Sequence, residues 1–231
     1  MKRLILASAF LGLAGALGSA NAAPITATDL GIWSGATNGT STDPGNQALP
    51  SARAAIPLVS AGSHDAASGP INFNLAGASP STIGAFLAAD SGPFSAPGCT
   101  GTCLTTNLSG NLGAFNHASL FEFSFTVTAA GTLSVTHDDG VSLFADLGGG
   151  NNPSATNLFP VVASAPTFAG PPNTAFLTPG SYDLFYTAAN GLPETLTTDF
   201  AVAAPEPASL TLIGSALVGM GWLGRRRRKA A

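Results

Sequence analysis

Charge is what this chain of 231 residues has least of. Asp, Glu, Lys and Arg together make up 9% of it, against about 25% in ordinary globular chains. Lys2 and Arg3 open the chain and Arg225, Arg226, Arg227, Arg228 and Lys229 close it, which leaves Arg53 as the one cation between Ala23 and Ala204. It faces eleven acids there, Asp29, Asp43, Asp65, Asp90, Glu122, Asp138, Asp139, Asp146, Asp183, Glu194 and Asp199, a net charge of −10. A body of that sign repels phosphate backbones and lacks the several Lys or Arg contacts that nucleic-acid binding requires. A P-loop and Schiff-base catalysis are excluded with it, because each needs a Lys. The body has no G-x-S-x-G nucleophile elbow, so nothing points to a serine hydrolase. Its three histidines, His64, His117 and His137, fall in no metal-binding spacing and read as polar surface or turn residues. Long helices are excluded across the middle, because 28 Gly and 17 Pro interrupt the chain about once in every five residues.

The two ends carry what the body lacks. Lys2 and Arg3 form a basic n-region, Leu4 to Leu17 an apolar h-region, and Ala20-Asn21-Ala22 a small-residue cleavage site. Residues 1–22 therefore read as a secretory signal peptide cut before Ala23. At the far end Pro205-Glu206-Pro207 precedes an apolar stretch, Ala208 to Gly224, and then the run Arg225 to Lys229. As a helix these 17 residues would span about 25 Å at 1.5 Å per residue, and flanking Arg side chains snorkel to make up a hydrocarbon core of about 30 Å. The basic cluster acts as a membrane stop and stays cytoplasmic, which places the body outside the inner membrane.

This tail resembles the bacterial PEP-CTERM sorting signal, with the tripeptide, a short Gly-containing span and a terminal Arg cluster in the family's order. The resemblance implies recognition of Pro205, Glu206 and Pro207 by an exosortase, a membrane enzyme that cuts near the motif and passes the protein to the cell surface or exopolysaccharide. Similar tails also end some ice-binding proteins.

Two Cys in an exported chain are most simply a disulfide, and Cys99-Thr100-Gly101-Thr102-Cys103 sets them around a Gly-centred turn. A redox pair usually has two intervening residues rather than three. From Ala23 to about Pro70 the composition predicts a loop-rich segment with one or two short edge strands. Ser81 to Leu87 predicts one short helix, with a capping residue and apolar positions 83, 86 and 87. Asn107-Leu108-Ser109 matches a glycosylation sequon that reads as a turn in bacterial export.

From Leu120 the hydrophobic period is two. Phe121, Phe123, Phe125 and Val127 alternate with Glu122, Ser124, Thr126 and Thr128, which predicts a half-buried strand whose aromatic row is core and whose Glu122 faces solvent. Ala130-Gly131, Asp138-Asp139-Gly140 and Pro179-Gly180 punctuate further alternating runs. The expected fold class is mainly β, an antiparallel β-sandwich or jelly roll, flanked by a signal-peptide helix and a C-terminal transmembrane helix. The expected division is 1–22 signal peptide, 23–116 loop-rich part with short strands and a short helix, 117–203 sandwich part, and 204–231 sorting signal with its span at 208–224.

Residues 117–203 resemble the PA14-like β-sandwich group. The carrying residues are Phe123-Ser124-Phe125-Thr126-Val127, Gly131-Thr132-Leu133, His137-Asp138-Asp139-Gly140-Val141-Ser142-Leu143-Phe144, and the run Leu177 to Tyr186. In some adhesins of that group paired Asp residues hold Ca²⁺ against sugar hydroxyls, which implies Asp138 and Asp139 here. Asp146, Asn151 and Asn152 lie close enough in sequence to add oxygens to such a site. The competing reading makes Asp139-Gly140 a hairpin turn whose Asp side chain bonds the backbone.

These observations lead to an exported, non-catalytic surface or matrix protein that binds exopolysaccharide, with Ca²⁺ the one cofactor in view and exosortase and the inner membrane as transient partners. A secreted polysaccharide hydrolase is the alternative, with the acidic loop carrying catalysis; Glu122 and Glu194 are the glutamates of the body, but a glycosidase pair is recognised by geometry that sequence does not give. Ice binding is a third, but Thr195, Thr197 and Thr198 are too few to form a regular array.

Overall fold

The computed structural model describes residues 22–60, 65–77, 81–89, 94–148, 153–166 and 171–203. The signal peptide before Ala22, the tripeptide, the apolar span and the Arg cluster lie outside them, as do His64, Asn151 and Asn152. No helix among the described residues is long and apolar enough to cross a membrane.

Residues 22–202 form one compact unit, whose described residues include nine strands: β1 (Thr26–Ala36), β2 (Asp65–Pro70), β3 (Asn72–Leu75), β4 (His117–Val127), β5 (Gly131–His137), β6 (Val141–Ala145), β7 (Asn173–Leu177), β8 (Gly180–Ala188) and β9 (Glu194–Val202). They build two antiparallel sheets, one in the order β2-β1-β4-β8-β6 and the other β3-β9-β5-β7. From β4 onward each successive strand changes sheet. The short turns at Ala130 and at Asp138 to Gly140 are therefore arches between the layers and not hairpins. Strand alternation gives each strand its inner face but is silent about which sheet it joins.

Between the sheets lies an aromatic core. Phe121, Phe123 and Phe125 of β4 are fully buried, and Phe123 stacks on Phe73 at 5.6 Å between ring centroids. Phe86 meets Phe121 at 4.9 Å and Tyr186 at 5.6 Å. Phe86 belongs to α1 (Ile83–Ala88), whose first turn is capped by Thr82 Oγ1 accepting from the Ala85 N–H at 3.2 Å. Ile83, Phe86 and Leu87 face inward from it, the apolar positions that suited a helix.

The N-terminal part departs from expectation. β1 is eleven residues long and central, paired with β2 on one side and with β4 on the other through Leu30↔Phe123 and Ile32↔Phe121. Gly31, Gly35 and several small residues conceal it from propensity, and burial of Leu30, Ile32 and Trp33 decides the matter in three dimensions. Strands from both halves of the body share both sheets, so residues 116 and 117 mark no structural boundary.

A second, smaller apolar cluster covers the outer face of the five-stranded sheet. Ala48, Ala52 and Ile56, from the segment carrying the 3₁₀ turns Pro44–Asn46 and Pro50–Ala54, pack on Trp33, Leu120, Phe144 and Phe185. This layer removes Glu122 from solvent, contrary to the outward reading of its strand position. Glu122 is wholly buried and ion-paired through Oε1 with Arg53 Nη2. Arg53 lies over the rings of Trp33 and Phe185, 5.4 and 5.0 Å from their centroids.

Candidate functional site

The Asp-Asp-Gly segment sits where β5 leaves one sheet and β6 enters the other. Asp138 and Asp139 are both buried, since the arch folds inward. The Asp139 Oδ2 accepts from the N–H groups of Ala189 and Asn190 at 2.7 and 3.2 Å, which ties the arch to the β8–β9 connection. Gly140 is required by close approach: a Cβ there would lie 2.3 Å from the Ser164 carbonyl oxygen.

The structure also brings in a partner that sequence spacing did not suggest. Glu194, the first residue of β9, is fully buried and neighbours the Asp139 carboxyl, each acting on the titration of the other. The Tyr186 hydroxyl donates to Glu194 Oε2 at 2.6 Å, and Ser109 neighbours the same carboxyl and opposes its upward shift. Burial pushes the Asp139 carboxyl up to about 7 against the opposing pull of its two backbone N–H donors. Burial, and then the Asp139 charge, raise Glu194 well above the usual carboxylate range. Tyr186 is raised as well, by burial first and by Glu194 second. His137 is buried rather than on the surface; burial lowers its pKa, while Nδ1 meets the Asp139 carbonyl and Nε2 meets the Asn173 amide at 2.6 Å. An Nδ1–H tautomer satisfies both contacts.

Asp146 lies at the other end of β6 from this pair. It lines a shallow depression of about 360 Å³ with Thr28, Asp29, Ser124, Thr126 and Ser181. Asp183, next to it on β8, is buried and accepts from Ser124 Oγ at 2.7 Å; burial raises its pKa and that hydrogen bond opposes the shift. Of the calcium set drawn from sequence, Asp138 and Asp139 thus lie at one end of β6 and Asp146 at the other, and Asn151 and Asn152 lie outside the described residues. Among the described residues no three His, Cys, Asp or Glu side chains form a group that could hold a metal. Glu122 and Glu194 are not brought together as a hydrolytic pair, because one lies under the outer layer and the other between the sheets.

Above Glu194 the surface opens. Ser109, the neighbour of the Glu194 carboxyl, lines a pocket of about 370 Å³ with Asn107, Gly110, Asn111, Asn116 and His117. Asn107, Asn111 and Asn116 are exposed and His117 is half-buried. His117 Nε2 lies 3.0 Å from both Ser34 Oγ and the Asn107 carbonyl, and Ser119 Oγ donates to Ser34 Oγ at 2.9 Å. The pocket loop is braced from the β8–β9 connection: the Gly113 N–H donates to the Asn190 carbonyl at 2.7 Å, and Gly191, at φ +97°, passes so near Leu112 that a Cβ would lie 2.6 Å from its backbone nitrogen. No carboxylate lines this pocket. Sequence gave one hint of it, the clustering of Asn and Ser from 107 to 116, which reads as a turn without the fold.

Cys99 and Cys103 are joined, with Cα atoms 5.2 Å apart, next to the four-residue helix α2 (Thr102–Thr105).

Comparison with known proteins bears first on the tail. The PEP-CTERM protein-sorting motif matches residues 203–228. The chain carries an exosortase sorting signal. A PEP-CTERM tail marks an exported protein whose precursor is membrane-anchored and processed by exosortase. The motif begins one residue beyond β9, so the whole folded body precedes it. No curated protein matches the chain. Among solved structures it is weakly similar to the crystal structure of the PA14 domain of the antifreeze protein MpAFP, at 16% identity and a TM-score of 0.36, over 78% of this chain and 82% of that one.

Proposed function

We propose that this PEP-CTERM protein is a non-catalytic glycan-binding protein of the cell surface or extracellular matrix, and that the pocket from Asn107 to His117 holds neutral sugar units of exopolysaccharide. The observation that carries the reading is the pocket wall. Three exposed amides, a serine hydroxyl and an imidazole converge on one open volume, a donor and acceptor set that suits sugar hydroxyls. The body's one cation is occupied by Glu122, which leaves nothing to attract an anionic polymer. Asp139 and Glu194 are sealed beneath the pocket and Glu122 under the outer layer, where none can reach a glycosidic bond. That burial favours binding over hydrolysis.

The test is retention of the mature protein on immobilised native exopolysaccharide and on a neutral glycan array. Replacing Asn111 and Asn116 together by Ala should weaken retention at least tenfold, since each removed hydrogen bond is worth about 1 kcal/mol, with no change in unfolding midpoint and no effect of a chelator. Equal retention by the double variant would sink the pocket. Release of sugar products by the wild-type protein would favour the hydrolase instead.

One observation favours ice binding as a second reading. The outer face of the four-stranded sheet collects Thr132, Ser134 and Thr136 from β5, Thr195 and Thr197 from β9, and Thr174 from β7, in register through Thr136↔Thr197 and Ser134↔Thr174. Thr198, by contrast, points inward and bonds the Ile71 carbonyl at 2.9 Å. Thermal hysteresis that is lost on Thr136→Lys and Thr197→Lys would establish this reading; its absence in the wild type removes it.

A further inference from the structure

Beneath the pocket, independently of what the pocket holds, the geometry around Asp139 and Glu194 leaves one gap. Asp139 Oδ2 takes two backbone N–H donors and Glu194 Oε2 takes the Tyr186 hydroxyl. Asp139 Oδ1 and Glu194 Oε1 are buried and neither has a hydrogen-bond partner, although each carboxyl acts directly on the titration of the other, and a carboxyl–carboxyl hydrogen bond is the contact such neighbours can make. Two ionised carboxylates cannot make that bond, since each is acceptor-only. One proton between them satisfies both orphaned oxygens.

We propose that Asp139 and Glu194 share a single proton, and that this proton is a latch joining the β5–β6 arch, the β8–β9 connection and the start of β9. Glu194 is the carrier and Asp139 the acceptor, because the two backbone donors stabilise Asp139 as the anion whereas Glu194 has only hydroxyl partners. The groups facing the pair are Asp138 and His137 on the arch side, Tyr186 on β8 and Ser109 on the pocket loop. None supplies a positive charge, since burial lowers the His137 pKa against the raising effect of its bond to the Asp139 carbonyl, and Arg53 acts on Asp183 under the other layer. Removing the proton sets two anions against each other in the interior, with Asp138 adding to the repulsion.

The sign of the pH dependence follows. Unfolded, both carboxyls titrate near about 4; folded, both are raised, Asp139 to about 7 and Glu194 in the same direction. Between those limits the folded state binds more protons. Stability contributed by the pair is therefore fully present below the unfolded value and falls as pH rises through the folded values.

The test compares the unfolding equilibrium of the wild-type mature protein with Glu194→Gln, which keeps a donor toward Asp139 and cannot ionise. From pH 5 to pH 8 the wild type should lose about tenfold or more in its folding constant, and the variant should lose less than a third of that factor and be the more stable at pH 8. Parallel profiles overturn the latch. If the variant does not fold, the wild type decides: with carbon-13 at glutamate carboxyls, the body shows two residues, Glu122 and Glu194, and one should report a protonated carboxyl at pH 7. Two ionised signals at pH 7, or a chelator-induced change showing a metal ion between the pair, overturn the proposal.

Discussion

Arg53 and Glu122 show what one residue decides in a body this short of charge. Glu122 is buried without any other cation in reach, and Arg53 bridges it to the faces of Trp33 and Phe185. Arg53→Ala leaves an uncompensated buried carboxylate, and the expected loss is about 3 kcal/mol, the low end of the range for a broken buried pair because the Arg53 side chain stays one-fifth exposed. Arg53→Lys should recover less than half of that, since an ammonium cannot stack as a plane on two rings. Urea denaturation of the two variants measures both. At Gly191 the positive φ and the adjacent Leu112 backbone make Gly191→Ala costly by about 1–3 kcal/mol, with loosening felt first in the pocket loop. Some of this scale was legible in sequence. The Phe121, Phe123 and Phe125 row read as core because period-two alternation marks one face of a strand. Glu122 misled for the same reason: alternation places it opposite the core, and only the layer from Ala48 to Ile56 shows that the opposite face is covered too.

At the scale of elements, β4, β5, β6, β8 and β9 announce themselves through alternation and through turns rich in Gly, Pro and Asp, whereas the edge strand β7 does not. What alternation cannot convey is that these turns cross between sheets, so that Asp139, at the top of such an arch, points into the interior and meets Glu194 fifty-five residues later. The arch also explains why the paired Asp residues are not joined by Asp146: β6 separates them. The Cys99–Cys103 disulfide acts at this scale alone. Closing so small a loop removes about 2 kcal/mol of unfolded-state entropy, so reduction should lower the thermal midpoint by several degrees while far-UV circular dichroism stays native. Collapse of the β signal on reduction would assign the bond a global role.

For the whole molecule, the last described strand ends at Val202 and the sorting motif begins at residue 203, so the body and its signal are adjacent in sequence. Ala23, the first residue after the expected signal-peptide cut, pairs with Phe200, whose N–H donates to the Ala23 carbonyl at 2.7 Å. That bond survives cleavage, and removal of residues 203–231 spares every strand. The truncated protein is therefore expected to fold with an unchanged midpoint and to appear in the periplasm or medium instead of on the surface; surface delivery without the tail would refute the sorting role.

The sequence by itself determined that this protein carries an export and sorting signal and what class of fold it has. Sorting signals are read by enzymes and membranes along the chain, so linear order is enough to identify them, and alternation is a local property of a strand. It also makes a basic surface unavailable to the body, because folding cannot build one from a single cation. Tertiary structure alone decided the centrality of β1, the burial of Glu122, the amide-lined pocket and the Asp139–Glu194 pair. Each of these depends on residues far apart in sequence being brought within a hydrogen bond of one another, and hydrogen-bond partners in an interior are chosen by which strands become neighbours.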